Sequence, residues 1–406
     1  MALESVPTDY KKTSLKYSIM RYIILFLFVF FFLLGFGQKV PICQKQRTGD
    51  VINIDLYQAY LNYDNFPLST VVESLEYIPI ETNGKCLLGE SMKRVFITTN
   101  EIFIFDYNAV FRFSRSGKFI NKIGRIGKGP GECLKPIDMV LDTLNQNVIL
   151  LDHDKLVKYD YKGNFINSHT LKNRSNSMLQ INDEDLLVNN MFYLYAKPGE
   201  RFSMFFFSQE QKKEISKIAC EKKDKIPFCI CDPVMYTHNH QAFVKDYWGD
   251  TIYKVIDPFT LKAYVAINTG KLKHRDNDDK SIVTGEKNPG DTWVVDITYI
   301  SETSRYIFLT SNKGLFIYDK KNKETRCCNF RKENEQWVIF NNDLTAGPDL
   351  MPFIHVHPVG IASFVTYNYA HNFFNENGTI KSGLPPSLKK LNPNDNPVLV
   401  LIKFNP

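Results

Sequence analysis

One pattern written twice limits what this chain can fold into. Phe105–Asn121 reads F-D-Y-N-A-V-F-R-F-S-R-S-G-K-F-I-N, and Leu151–Asn167 reads L-D-H-D-K-L-V-K-Y-D-Y-K-G-N-F-I-N. In each copy a Gly follows the Asp by eleven residues, and Asp106 stands 46 residues before Asp152. A period of about 40–50 residues, filled with short runs of strand-forming side chains, is the mark of a propeller blade. The predicted fold class is therefore all-β, a β-propeller of four-stranded antiparallel blades.

Weaker copies extend the pattern. Phe205-Phe206-Phe207-Ser208 aligns Glu200 with Asp152, and Asp246 takes the repeated position ahead of the strand-like run Thr251–Val255. Ser311 takes it ahead of Gly314–Asp319, after a polar, turn-rich insertion at Lys271–Asp291. Trp337–Phe340, Phe353–Val365 and Tyr367–Phe374 supply a sixth, partial unit, with Pro397–Phe404 as a last apolar strand. Two alternating runs between Val51 and Glu81 predict an N-terminal strand that completes the last blade. The expectation is one domain over 51–406, a six-bladed propeller with an inserted loop near 271–291.

Residues 1–43 read as a targeting segment. Basic residues precede a nearly unbroken apolar run, Tyr22–Phe36, the length of a signal-peptide core and short of the roughly 20 residues that a bilayer span needs. Gly35-Phe36-Gly37 places small residues at the −3 and −1 positions of a cut before Gln38. Two other fates stay open. The run fits retention as an N-terminal anchor, which would make the membrane a partner, and Cys43 fits lipidation, although Val40-Pro41-Ile42 lacks the small residue that precedes a lipidated Cys. Each fate predicts an exported protein, periplasmic or in the cell envelope.

The net charge of +6 includes Lys11, Lys12, Lys16 and Arg21 of that segment, so the folded part lacks the strong basic surface of a nucleic-acid binder, and no such partner is expected. Eight cysteines include Cys229-Ile230-Cys231 and adjacent Cys327-Cys328, neither of which has the C-x₂-C spacing of a structural zinc site. Buried, unpaired thiols are the simpler expectation.

Gly124-Arg125-Ile126-Gly127-Lys128-Gly129-Pro130-Gly131-Glu132 is the densest glycine cluster in the chain. No Ser or Thr follows Lys128, Pro130 removes a donor and a strand comes next, so the cluster is not a phosphate loop. It reads as the crossover between two blades, from which Arg125, Lys128 and Glu132 would line the mouth of the central channel with Asp138 of the next inner strand. His355 and His357, two apart on a strand, would share one face and join them as ligand-binding residues. His238 and His240 repeat that spacing, so His238, His240, His355 and His357 are the candidate metal ligands, and a divalent metal is the one cofactor the sequence admits. The repeated Asp106, Asp152 and Asp246 are expected to accept turn N–H groups, not to catalyse.

The run Phe105–Glu132, ending in G-R-x-G-x-G-P-G-E, resembles a family of six-bladed β-propellers of exported bacterial proteins, itself similar to NHL-repeat propellers. Val72–Glu81, Leu88-Gly89-Glu90 and Asp395-Asn396-Pro397-Val398-Leu399 support the resemblance. It implies fold and export, not a reaction. The expected function is a non-catalytic, envelope-associated module binding a small molecule, glycan or envelope protein at the channel mouth. A metal-dependent hydrolase or lyase with a channel site and a structural envelope component are the alternatives.

Overall fold

The computed structural model describes residues 40–64, 67–89, 92–107, 109–192, 195–197, 200–221, 232–272, 296–328, 341–350, 356–358 and 364–406. Five four-stranded antiparallel blades make up the body of the unit Ile42–Pro406. Blade I contains Arg94–Ile97, Glu101–Phe105, Val110–Ser114 and Phe119–Ile123, and blade II contains Asp138–Asp142, Asn147–Asp152, Lys155–Asp160 and Phe165–Thr170. Blade III contains Met178–Gln180, Asp185–Asn189, Phe202–Ser208 and Lys213–Ala219. Blade IV contains Val234–His238, Gln241–Lys245, Thr251–Asp257 and Thr260–Asn268, and blade V contains Ile297–Glu302, Tyr306–Ser311, Gly314–Asp319 and Glu324–Cys328. The first strands of successive blades adjoin one another from I to V, which makes them the inner wall around the axis.

Period-two alternation builds the core between blades. On the second strand of blade I, Phe103 and Phe105 pack against Val148 and Leu150 of blade II. Ile102 and Ile104 of the same strand face the other way, onto Leu399 and Leu401 near the C-terminus. This strand therefore buries both faces, and aromatic side chains fill the wedge between the sheets.

A six-bladed propeller was expected, its sixth unit partial, and the described residues form five four-stranded blades. The sixth position holds a three-stranded antiparallel sheet in which Val398–Phe404 lies between Phe364–Asn368 and Val72–Pro79. Val398 and Val400 pack with Tyr306, Phe308 and Leu315 of blade V, so the sheet spans the gap from blade V to blade I. The N-terminal strand closes the ring as expected, with Val72–Pro79 as the outer strand. Asn396 locks the junction: its side chain donates to the carbonyls of Glu81 and Cys86 at 2.7 and 2.6 Å and accepts from Leu88 N–H at 2.9 Å.

Residues ahead of that strand do something the sequence did not suggest. Gln44–Gln46 and Ile52–Asp55 pair in parallel with the outer strand of blade IV, widening it to six strands. Cys43 is buried between blades III and IV, where desolvation pushes its thiol up to about 12. Cys43, Cys86, Cys133 and Cys327 are free thiols, while Cys229 and Cys231 lie outside the described residues. Residues 1–39, and the expected loop 271–291 apart from Lys271 and Leu272, also lie outside. Among the described residues no helix is long and apolar enough to cross a membrane.

Candidate functional site at the axial mouth

The second strand of each blade ends beside the start of that blade's own inner strand, so the repeated Asp sits beside the segment that leads into it. Asp106 accepts N–H bonds from Gly89 and Ala109, Asp152 from Leu134 and Lys135, and Asp246 from Trp248. Asp106 and Asp152 thereby hold the backbone that leads into the inner strand, and Asp106 and Asp246 the turn after the second strand. Glu200 does not share the role: it falls in the loop before Phe202, and the corresponding buried polar residue is Asn190, whose amide donates to the Phe202 carbonyl at 3.1 Å.

At the mouth formed by these segments, polar groups from all five blades meet. Arg94, first residue of the inner strand of blade I, donates Nε and Nη2 to the two carboxylate oxygens of Asp138 at 2.6 and 2.8 Å. Asp138, the first residue of the inner strand of blade II, also accepts N–H bonds from Met139 and from Met178 of blade III. Both side chains are nearly inaccessible, Arg94 at 5% and Asp138 at 0%. A fork-to-fork pair removed from water in this way fixes the relative position of three blades.

A second set faces the opening. Asn176, ahead of the inner strand of blade III, donates its amide to both oxygens of Asp232 at 2.9 Å, and Asn189 adds a contact at 3.2 Å. Asp232 precedes the inner strand of blade IV and is exposed as a residue, yet its carboxylate is hemmed in by these amides. Desolvation pushes it up, against the hydrogen bond from Asn176 and the charge of Lys93. Asp296, ahead of the inner strand of blade V, is likewise pushed up by burial, with Lys245 opposing and Asp232 reinforcing the shift. Lys93 stands over the ring of Tyr107, 5.7 Å from its centroid. Tyr299 of blade V lies within reach of the charges of Arg94 and Asp232. The mouth thus presents two desolvated carboxylates, an ammonium, amides and two phenol rings.

The other end of blades IV and V carries a closed network. Glu302 accepts from Tyr236 Oη at 2.9 Å, from Tyr264 Oη at 2.6 Å and from the Lys320 ammonium, and its side chain has no exposed surface. His238 Nε2 lies 4.0 Å away, and burial lowers its pKa.

The expected site residues scatter. Asp138 is at the axis, but its carboxylate is filled by Arg94 and two backbone amides. Arg125 and Glu132 line a cavity of about 340 Å³ against Tyr159 and Phe165, on the third and outer strands of blade II, and not at the inner wall. The crossover packs there because Tyr159 Oη donates to the Gly131 carbonyl at 2.8 Å, and a Cβ on Gly131 would meet the Phe165 ring at 2.8 Å. Glu132 turns back to accept from Gly129 N–H, and Lys128 lies on the same loop. His238 and His240 do not share a strand face. His238 ends its strand, and Asn239-His240 form the hairpin turn with φ of 48° and 57°. His357 is in register with Phe96 of blade I, while its side chain and all of His355 lie outside the described residues. Among the described residues no group of three or more His, Cys, Asp and Glu is placed to hold a metal ion.

Lys93, Asn176, Asp232 and Asp296 were not singled out from sequence. Each lies one or two residues before an inner strand, a repeat position whose polarity was the available signal.

The comparisons agree with this architecture. A Bacteroides fragilis protein whose name describes it as exported superposes with a TM-score of 0.65 at 19% identity, covering 88% of this chain and 100% of that one. A member of the DUF4221 family from Bacteroides vulgatus gives a TM-score of 0.46 at 10% identity, covering 82% and 97%. No curated protein matches the sequence. The family described as domain of unknown function DUF4934 matches residues 51–403, and the chain belongs to that family.

Proposed function

We propose that the protein is an exported, envelope-associated binding module that takes a polar small ligand at the axial mouth. One observation carries the reading: Lys93, Tyr107, Asn176, Asp232, Asp296 and Tyr299 converge there from four blades while the neighbouring Arg94–Asp138 pair holds the wall rigid. A pre-organised set of donors and acceptors on rigid strands favours recognition, because little side-chain freedom is lost on binding. Export is supported by the apolar run Tyr22–Phe36 and by the name of the similar Bacteroides fragilis protein. A thermal-shift panel of polar metabolites tests the reading. A ligand present at about 100 times its Kd stabilises by about 2.7 kcal/mol, so at least one should raise the wild-type Tm and fail to do so with Lys93→Ala and Asp232→Asn. A panel without a shift, or shifts that survive both substitutions, would refute it.

A further inference from the structure

The N-terminal segment builds a second concavity, independent of the axial mouth. After pairing with blade IV through Ile52–Asp55, the chain forms the short helix Leu56–Leu61 and crosses to blade V, where Asp64 N–H donates to the Cys327 carbonyl at 3.0 Å. Between helix and blade lies a cavity of about 420 Å³, with Ala59 and Cys327 among its lining residues. This volume falls in the range of about 300–1,000 Å³ that small-molecule sites occupy.

We propose that this cleft binds a neutral saccharide of one or two rings. Three amides line it, Asn53, Gln58 and Asn62, and each can donate and accept, as sugar hydroxyls do. Its charges balance: Asp55 and Asp64 stand against Lys323 and Arg326. An ionic ligand would therefore meet as much like charge as opposite charge. Asp55 is already engaged, capping Gln58 N–H and accepting from Asn268 at 2.9 Å each. Asp64 and Arg326 stand 3.9 Å apart as an ion pair. Six of the lining residues come from the segment ahead of the ring-closing strand and four from blade V, so the added N-terminal strands supply one wall of the cleft.

A glycan array carrying neutral hexose oligomers, N-acetylhexosamine oligomers and acidic glycans, probed with the full chain, tests this proposal. Binding to either neutral class is expected, and the class that binds separates an external glycan from an envelope glycan. Gln58→Ala and Asn53→Ala, both exposed amides of the lining and outside the core, should weaken binding at least tenfold without lowering Tm. Lys93→Ala and Asp232→Asn should leave it unchanged, which separates this cleft from the axial reading. No glycan binding, binding of acidic glycans alone, or binding indifferent to Gln58 and Asn53 would overturn it.

Discussion

Replacing Asp138 by Ala should be among the most damaging single changes in this protein. The substitution strands the Arg94 guanidinium in a site where it is 5% exposed, and removing one partner of a buried pair costs about 3–5 kcal/mol. It also takes the acceptor from the Met139 and Met178 amides at 2.9 and 2.8 Å, groups worth about 1–3 kcal/mol each if left unsatisfied. These costs overlap, so a total of about 4–6 kcal/mol is expected. Arg94→Met should cost less, because Asp138 keeps both amide donors. The double variant should fall short of the sum of the two by about 2 kcal/mol or more, since the residues share one interaction. Equilibrium urea unfolding of the four proteins measures these differences. A loss under about 1 kcal/mol for Asp138→Ala, or additivity in the cycle, would refute the claim that this pair holds the first three blades together.

Other outcomes follow from local geometry. Gly117 has φ +81° and a Cβ there would stand 2.1 Å from the Pro79 carbonyl, so Gly117→Ala should detach the closing strand and cost several times more than Gly378→Ala. At Gly378, φ is +77° with nothing within 4 Å, and only the backbone term of about 1 kcal/mol applies; equal Tm losses would contradict the steric argument. Asn396→Ala removes three buried or partly buried bonds that join the last strand to the segment Glu81–Leu88 and should cost about 2–4 kcal/mol, read as a fall in Tm with raised protease sensitivity near Leu88. His238 has its pKa lowered by burial, so the unfolded chain binds the proton more readily. Stability present above the ordinary His value of about 6.5 should be lost as pH falls through it toward the folded pKa, with a slope of at most about 1.4 kcal/mol per pH unit. His238→Asn should flatten that slope; an unchanged Tm profile from about pH 7 to 5 would count against it.

Strand positions in blades I and II were legible because both copies of the repeat keep Asp, Gly and the alternation intact. Blade III misled at Glu200, since a longer loop before Phe202 shifts the sequence spacing while Asn190 keeps the structural place. The parallel strands Gln44–Gln46 and Ile52–Asp55 carry no sequence mark of their partner, because parallel addition to an outer edge is a long-range choice. The site was less legible still. Glycine density drew attention to Arg125, Lys128 and Glu132, but Gly131 serves close packing over Tyr159 and Phe165, and Gly127 and Gly129 leave room for the Glu132 side chain. The mouth is built from single polar residues before each inner strand, and no one of them stands out until the ring brings them together.

The most direct test of the central claim is calorimetric titration of the strongest ligand from the thermal-shift panel into wild type, Lys93→Ala and Asp232→Asn. Binding at the axial mouth predicts one site per chain and a Kd weakened at least tenfold in both variants, with Tm of the free proteins little changed. Undiminished affinity in both would place the ligand elsewhere and contradict the account.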